Sequence, residues 1–273
     1  MRRSVWVVWP TSDLERSNET ARMWMAKGYF VCIMIQKPRK PFLADDSWRP
    51  PVPNTVSAIP PVMVNEWNGY YEAINIMSYV AVMKYKAEVV IAGSDKILPD
   101  TRYGAEELGK AFVMRFPRLF GVMHPVGDLW SPEVSGPSAQ EGMGMHGRKI
   151  HATARSDQRC EGLWMGRRFI LEMNGGRAPI SPKYRHFFGD HELFHVARKL
   201  GILWQRSDVT QERIHWSRPG GPSMDAYDQR NFDQWYESDL AMWKVRSRDN
   251  FPGHEPYQPA AIVTPSKRII TNG

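Results

Sequence analysis

Short apolar runs alternate along this chain with longer stretches in which apolar positions return every three or four residues. The first pattern predicts buried strands and the second predicts helices lying on them. Residues 5–9 form a run closed by Pro10, and Thr11, Ser12 and Asp13 make the turn after it. A helical stretch over 19–27 stops at Gly28, and a second apolar strand follows over 29–35. That strand–helix–strand opening suits a parallel sheet with a right-handed crossover. Further on, residues 55–59 predict a third short strand, 67–85 a long helix, and 88–92 a fourth strand apolar on both faces. Residues 120–124 predict another strand, whereas 131–160 carry no hydrophobic period and predict a loop. Leu193, Val196, Ala197 and Leu200 fall at i, i+3, i+4 and i+7 of an amphipathic helix that starts at Asp190 and stops at Gly201. A short strand over 202–204 follows it, one more helix is predicted over 232–245, and an irregular tail begins at Asn250.

A chain of 273 residues is long enough for one sizeable α/β core with a tail packed on it. No run reaches the ~18 apolar residues of a membrane span and the N-terminus lacks a signal-peptide core, so a cytoplasmic protein with no membrane partner is expected. Two cysteines, Cys32 and Cys160, make no disulfide framework. The net charge of +7 is uneven: residues 145–187 hold nine Lys or Arg against three acids. A basic segment of that kind asks for an anionic partner, either donor phosphates or a nucleic-acid backbone.

Two acidic positions stand where chemistry is expected. The fourth strand runs into Gly93-Ser94-Asp95, and in open α/β sheets ligands gather at the carboxyl ends of strands. A carboxylate there suits Mg²⁺ or Mn²⁺ held against a diphosphate. Asp190 and Glu192 lie in the first turn of a helix, where its dipole favours negative charge. His215 returns an imidazole about two dozen residues later. No G-x-G-x-x-G follows the first strand, which argues against a dinucleotide site of the usual kind.

Three islands taken in order, AGSD (92–95), GVMHPVGDLW (121–130) and the stretch ending RIHW (213–216), resemble bacteriophage-encoded glycosyltransferases of the GT-A fold. The resemblance spans roughly residues 4–216. It implies a Rossmann-type, mixed but mostly parallel sheet flanked by helices, with a donor half over about 1–125 and an acceptor half over 126–216. Residues 217–273 would add a C-terminal helix and tail on the same domain. It further implies that Asp95 is the last acid of a metal-binding DxD element and that His215 completes the metal site around Mn²⁺ or Mg²⁺. Asp190 would be the catalytic base, with Glu192 ranked second. Pro10, Thr11, Arg16 and Asn18 after the first strand, Asn75 on the helix before the metal strand, and Ser94 would touch a UDP- or GDP-sugar donor. Two departures from the family pattern stand out. One carboxylate occupies the strand-end motif where many relatives hold two, and Arg213 replaces the first histidine of the closing pattern. A guanidinium cannot ligate metal but pairs with phosphate in a fixed fork, so Arg213 is expected to neutralise the leaving diphosphate.

The resemblance makes a hydroxymethylated pyrimidine in phage DNA the first expectation for the acceptor, within a host cell cytoplasm. Its physical support is the basic segment with interleaved aromatics, in which Trp164, Arg167 and Arg168 would hold the acceptor. A glycan or small-sugar acceptor is the alternative. A metal-dependent hydrolase would need clustered carboxylates, and a non-catalytic binding protein would keep the fold without turnover.

Overall fold

A strand apolar at nearly every position must be covered on both faces, and the run from Val5 fulfils that requirement. It forms β1 (Val5–Thr11), buried along its whole length at the middle of the sheet. The computed structural model describes residues 4–36, 62–65, 69–125, 140–143, 149–152, 162–176, 178–214 and 223–253. The chain proceeds through α1 (Leu14–Ala26), β2 (Phe30–Gln36), β3 (Val62–Asn65), α2 (Tyr70–Met83) and β4 (Val89–Ala92). Then come α3 (Ala105–Arg115), β5 (Val122–Pro125), β6 (Gln140–Met143) and β7 (Lys149–Ala152). It closes with β8 (Trp164–Gly166), α4 (Arg167–Glu172), α5 (Gly189–Lys199), β9 (Leu203–Arg206) and α6 (Ala226–Arg248).

Seven strands make one sheet in the order β3-β2-β1-β4-β8-β5-β9. Pairing is parallel among β3, β2, β1 and β4 and again between β5 and β9, while β8 runs antiparallel to both of its neighbours. The sheet is therefore mixed but mostly parallel, and the molecule is α/β. Side-chain alternation along β1 divides the core in two. Val5, Val7 and Trp9 face α1 and α3, meeting Ala21, Trp24, Leu108 and Phe112. Trp6 and Val8 face the other side, where Ile74 and Met77 of α2, Phe169 of α4 and Leu193 and Val196 of α5 close over them. Each fully buried large side chain contributes about 1.5–3 kcal/mol to that packing. The buried tryptophans also satisfy their indole N–H groups: Trp9 donates to Ser17 Oγ (3.1 Å), Trp24 to the Ile97 carbonyl (2.9 Å) and Trp164 to Gln211 Oε1 (2.6 Å).

Several sequence expectations are corrected here. The helix α1 begins at Leu14, five residues before the predicted start, because Asp13 caps it by accepting from the Arg16 N–H. The helix α3 was not predicted. The expected strand over 55–59 lies outside the described residues, and the strand that pairs beyond β2 is Val62–Asn65. Inside the segment expected to be a loop, β6 and β7 pair as an antiparallel ribbon. Among the described residues no helix is long and apolar enough to cross a membrane.

Candidate functional site

After β1 the chain crosses through α1 to β2 on one side, and β4 later joins β1 on the other, so the sheet order reverses between β1 and β4. At such a point the connections leave in opposite directions and open a crevice beyond the strands' carboxyl ends. Glycine is required at the first step out of β4. A Cβ on Gly93 would stand 2.7 Å from Val7 Cγ1, and the Gly93 N–H donates to the Val8 carbonyl (2.9 Å). The turn then delivers Asp95, a buried carboxylate, to the foot of α1. Arg16 grips its Oδ2 through Nε (2.9 Å) and Nη2 (2.7 Å), and the Thr20 hydroxyl donates to its carbonyl (2.8 Å). Burial pushes the Asp95 carboxyl above its ordinary range, so its charge depends on Arg16 staying in contact. Burial acts against the Arg16 guanidinium too, but Asp95, with Asp13 and Asp225, outweighs it and raises that group above its ordinary value.

The opposite wall is built by α2, α5 and α6. Adjacent tyrosines in the first turn of α2 tie the two walls together. Tyr70 Oη donates to the Gly93 carbonyl (2.7 Å), and Tyr71 Oη donates to Asp190 Oδ1 (2.8 Å). Asp190 is the second residue of α5. The residue before that helix is Phe188, at φ 65° in the left-handed region, so the backbone and not a side chain turns the chain into α5. Gly189 must lack a Cβ, since one would stand 2.8 Å from the Tyr71 ring. Tyr71 and the His191 N–H (3.0 Å) both bond Asp190 Oδ1, which turns Oδ2 over to other uses. Arg16, Asp95, Arg213 and Asp190 all line one cleft of about 540 Å³. The remaining wall is aromatic, with His186, Phe187 and Phe188 facing Tyr227, Phe232 and Tyr236 of α6. Phe232 stacks on Tyr236 with ring centres 4.5 Å apart.

The α6 helix reaches into the charged part of the cleft as well. Asp225 caps it by accepting from the Asp228 N–H. Lys96 Nζ lies 3.0 Å from Asp225 Oδ2 and also contacts Asp228 Oδ2, and Arg16 Nη1 lies 3.5 Å from Asp225 Oδ2. Burial opposes the Asp225 charge, yet the Asp228 N–H and the Lys96 ammonium hold its carboxyl below the ordinary range. Nearby, burial pulls His186 down to about 4, with Asp228 opposing and Lys96 reinforcing. This shift has a sign that can be measured. Above about pH 6.5 the imidazole is neutral in both the folded and unfolded chain and contributes nothing. Below it the unfolded chain takes a proton that the folded chain refuses until about pH 4, so stability falls as pH drops through that window. The loss is about 1.4 kcal/mol per pH unit, up to roughly 3 kcal/mol. Melting temperatures between pH 7 and 4.5 are expected to fall more steeply for the wild type than for His186→Gln. Parallel curves would remove His186 as the source.

The residues predicted from sequence separate into those on the cleft and those away from it. Pro10, Thr11, Arg16, Ser94, Asp95, Asp190 and Arg213 line it. His215 lies outside the described residues. Asn18 is half-buried on α1 and does not line the cleft. Asn75 is buried and clamps Ile180, giving to its carbonyl (2.9 Å) and taking from its N–H (3.0 Å). Its effect on the cleft passes through Ile180, which lines it. Glu192, ranked second as base, is corrected: it is fully buried away from the cleft. Arg246 meets both of its oxygens at 2.7 Å, and Tyr184 Oη donates to Oε2 at 2.5 Å. Trp164, Arg167 and Arg168, expected to hold the acceptor, are corrected too. Because β8 is antiparallel, Gly162 and Leu163 pass the cleft and the strand then runs away from it. Trp164 ends in the core. Arg167 bonds the Ala87 carbonyl (2.9 Å) by the amino end of β4, away from the cleft, and exposed Arg168 pairs with Glu172 (2.6 Å). Tyr70, Tyr71, Asp225 and Asp228 were missed, because they meet the site only through long-range packing, and Lys96 was missed although it directly follows Asp95, because its acidic partners are distant in sequence.

Asp95 offers a hard oxygen, but Arg16 already holds Oδ2, and among the described residues no group of three His, Cys, Asp or Glu side chains could hold an ion. His215, the other expected ligand, lies outside the described residues, and no step below is routed through a metal. The chain matches no protein-family description and no curated protein.

Proposed function

We propose that this protein is a GT-A-like glycosyltransferase that moves a sugar from a nucleotide-sugar donor to an acceptor hydroxyl. One observation carries the reading: phosphate-type cations and a carboxylate share a single cleft at the reversal of strand order, lined by Arg16, Arg213 and Asp190. The mixed, mostly parallel sheet with helices on both faces supports the GT-A-like part. In the reaction the acceptor oxygen bonds to the anomeric carbon while the bond from that carbon to the diphosphate breaks. The acceptor proton goes to Asp190 Oδ2, and the electron pair leaves with the diphosphate, whose charge the guanidinium groups meet. Tyr71 and the His191 N–H hold Oδ1 and so aim the other oxygen.

For the acceptor, the aromatic wall of Phe187, Phe188, Phe232 and Tyr236 supports a ring-bearing molecule, since flat faces stack on sugars and bases alike. A duplex-DNA acceptor has lost the support of Arg167 and Arg168, which lie by the end of β8 away from the cleft. A glycan or small-sugar acceptor is therefore favoured over DNA. Salt separates them, because binding through several phosphates weakens steeply as salt rises and sugar binding does not.

The test is a panel of UDP- and GDP-sugars, each incubated with Mn²⁺ and, separately, with a chelator. Slow release of nucleotide diphosphate, faster with an acceptor sugar, is expected. Cleavage of phosphate esters instead would turn the reading to a hydrolase, and donor binding without release to a binding protein. The Mn²⁺ arm decides whether a divalent ion takes part.

A further inference from the structure

We propose that Lys96 joins Arg16 as the seat of the ligand's diphosphate, and that Asp225 and Asp228 of α6 are the internal anions a diphosphate displaces from it. The proposal rests on the nucleotide-sugar reading of the cleft and adds to it a binding residue and a coupled helix. The argument begins at Asp225 Oδ2, which lies 3.0 Å from Lys96 Nζ and 3.5 Å from Arg16 Nη1. One acidic oxygen between an ammonium and a guanidinium is the arrangement a bridging or terminal phosphoryl oxygen would take. Lys96 has little freedom to serve elsewhere. Its N–H donates to Ser94 Oγ (3.1 Å), its carbonyl accepts the Ile214 N–H (2.8 Å), and its side chain is mostly covered within the cleft.

The acids are arranged to be exchanged. They sit at the start of α6, where the helix dipole favours negative charge. Only one Asp225 oxygen is needed to cap the helix, since Oδ1 accepts the Asp228 N–H at 2.8 Å while Oδ2 faces the cations. Both carboxylates are partly exposed, and ion pairs of that kind are individually weak. A diphosphate concentrates more charge on neighbouring oxygens than two separate carboxylates do, so it wins the cations. The same helix carries Tyr227, Phe232 and Tyr236 of the aromatic wall, so filling the seat also resets the wall that faces the acceptor.

The experiment is calorimetric titration of inorganic pyrophosphate in chelator-containing buffer. The proteins are the wild type, an Asp225→Asn/Asp228→Asn double variant, and Lys96→Ala. Asparagine caps a helix as well as aspartate does, so α6 is retained in the double variant. Removing the internal competitors is expected to tighten pyrophosphate binding by about three- to thirtyfold. Lys96→Ala is expected to weaken it by roughly tenfold or more. In the wild type, amide hydrogen exchange over 226–230 is expected to quicken when pyrophosphate is added. Unchanged or weaker binding in the double variant, or an unaffected Lys96→Ala, overturns the proposal. Weaker binding would mean that the two acids serve the ligand directly. Sugar transfer observed alongside unchanged pyrophosphate affinity would sink the displacement and leave the transferase reading standing. Tighter binding with no transfer from any nucleotide sugar would sink the transferase reading and leave the diphosphate seat.

Discussion

Asp190→Asn is expected to lower turnover by ~10²–10⁴-fold, the range for loss of a general base, while leaving donor affinity near the wild-type value. The substitution is nearly isosteric and keeps an oxygen where Tyr71 Oη and the His191 N–H donate, so the first turn of α5 should hold its place. What disappears is the ability of the second position to take a proton as the acceptor oxygen attacks. The split is informative because, in the proposed reaction, the donor is held by groups other than Asp190. Arg16 and Arg213 would hold the donor whether or not residue 190 can accept a proton. Initial-rate kinetics with donor and acceptor varied in turn, together with donor titration, measure both. A variant that retains more than about a tenth of the wild-type turnover would take the base role away from Asp190.

Arg246→Met is expected to cost about 3–5 kcal/mol of stability, because it removes the Arg246 cation from the buried Glu192 carboxylate. Against a typical total of ~5–15 kcal/mol, that is a large part of the molecule's margin. The expected fall in melting temperature is about 10 °C or more. Glu192→Gln combined with Arg246→Met should be less harmful than Arg246→Met alone, since no charge is then stranded. Urea unfolding of the wild type, Glu192→Gln, Arg246→Met and the double variant closes the cycle. A cost below about 1 kcal/mol for Arg246→Met would mean that Glu192 is not held by this pair. The result also bears on chemistry, since a carboxylate locked by Arg246 and Tyr184 has neither the access nor the freedom to act on a substrate.

Local pattern carried the sequence reading a long way. The apolar run of β1, the helical spacing of Leu193, Val196 and Ala197, and the acid just past β4 are all properties of neighbouring residues. They yielded the α/β class and the cleft positions of Asp95 and Asp190. Strand direction is not such a property. The three buried residues of β8 read the same whichever way the strand runs, and its antiparallel course sends Arg167 and Arg168 to the wrong end of the sheet. Distant partners are equally silent. Glu192 and Arg246 stand 54 residues apart, and Lys96 and Asp225 stand 129 apart, so nothing near either residue announces its partner. Expecting α6 merely to pack on the domain understated it, because its inward face supplies part of the cleft.

Asp239 accepts the N–H groups of Arg185, His186 and Phe187, with distances between 2.8 and 3.2 Å. A single buried side chain of α6 thus completes the backbone of the segment that leads into α5. The smallest fragment able to fold as this protein must therefore extend beyond Arg246, and a truncation at residue 216 would strand three amides and one carboxylate together. Complementation offers a use for that dependence. A synthetic α6 added to such a truncated chain would have to bring back order around residues 185–192 and the cleft in the same step.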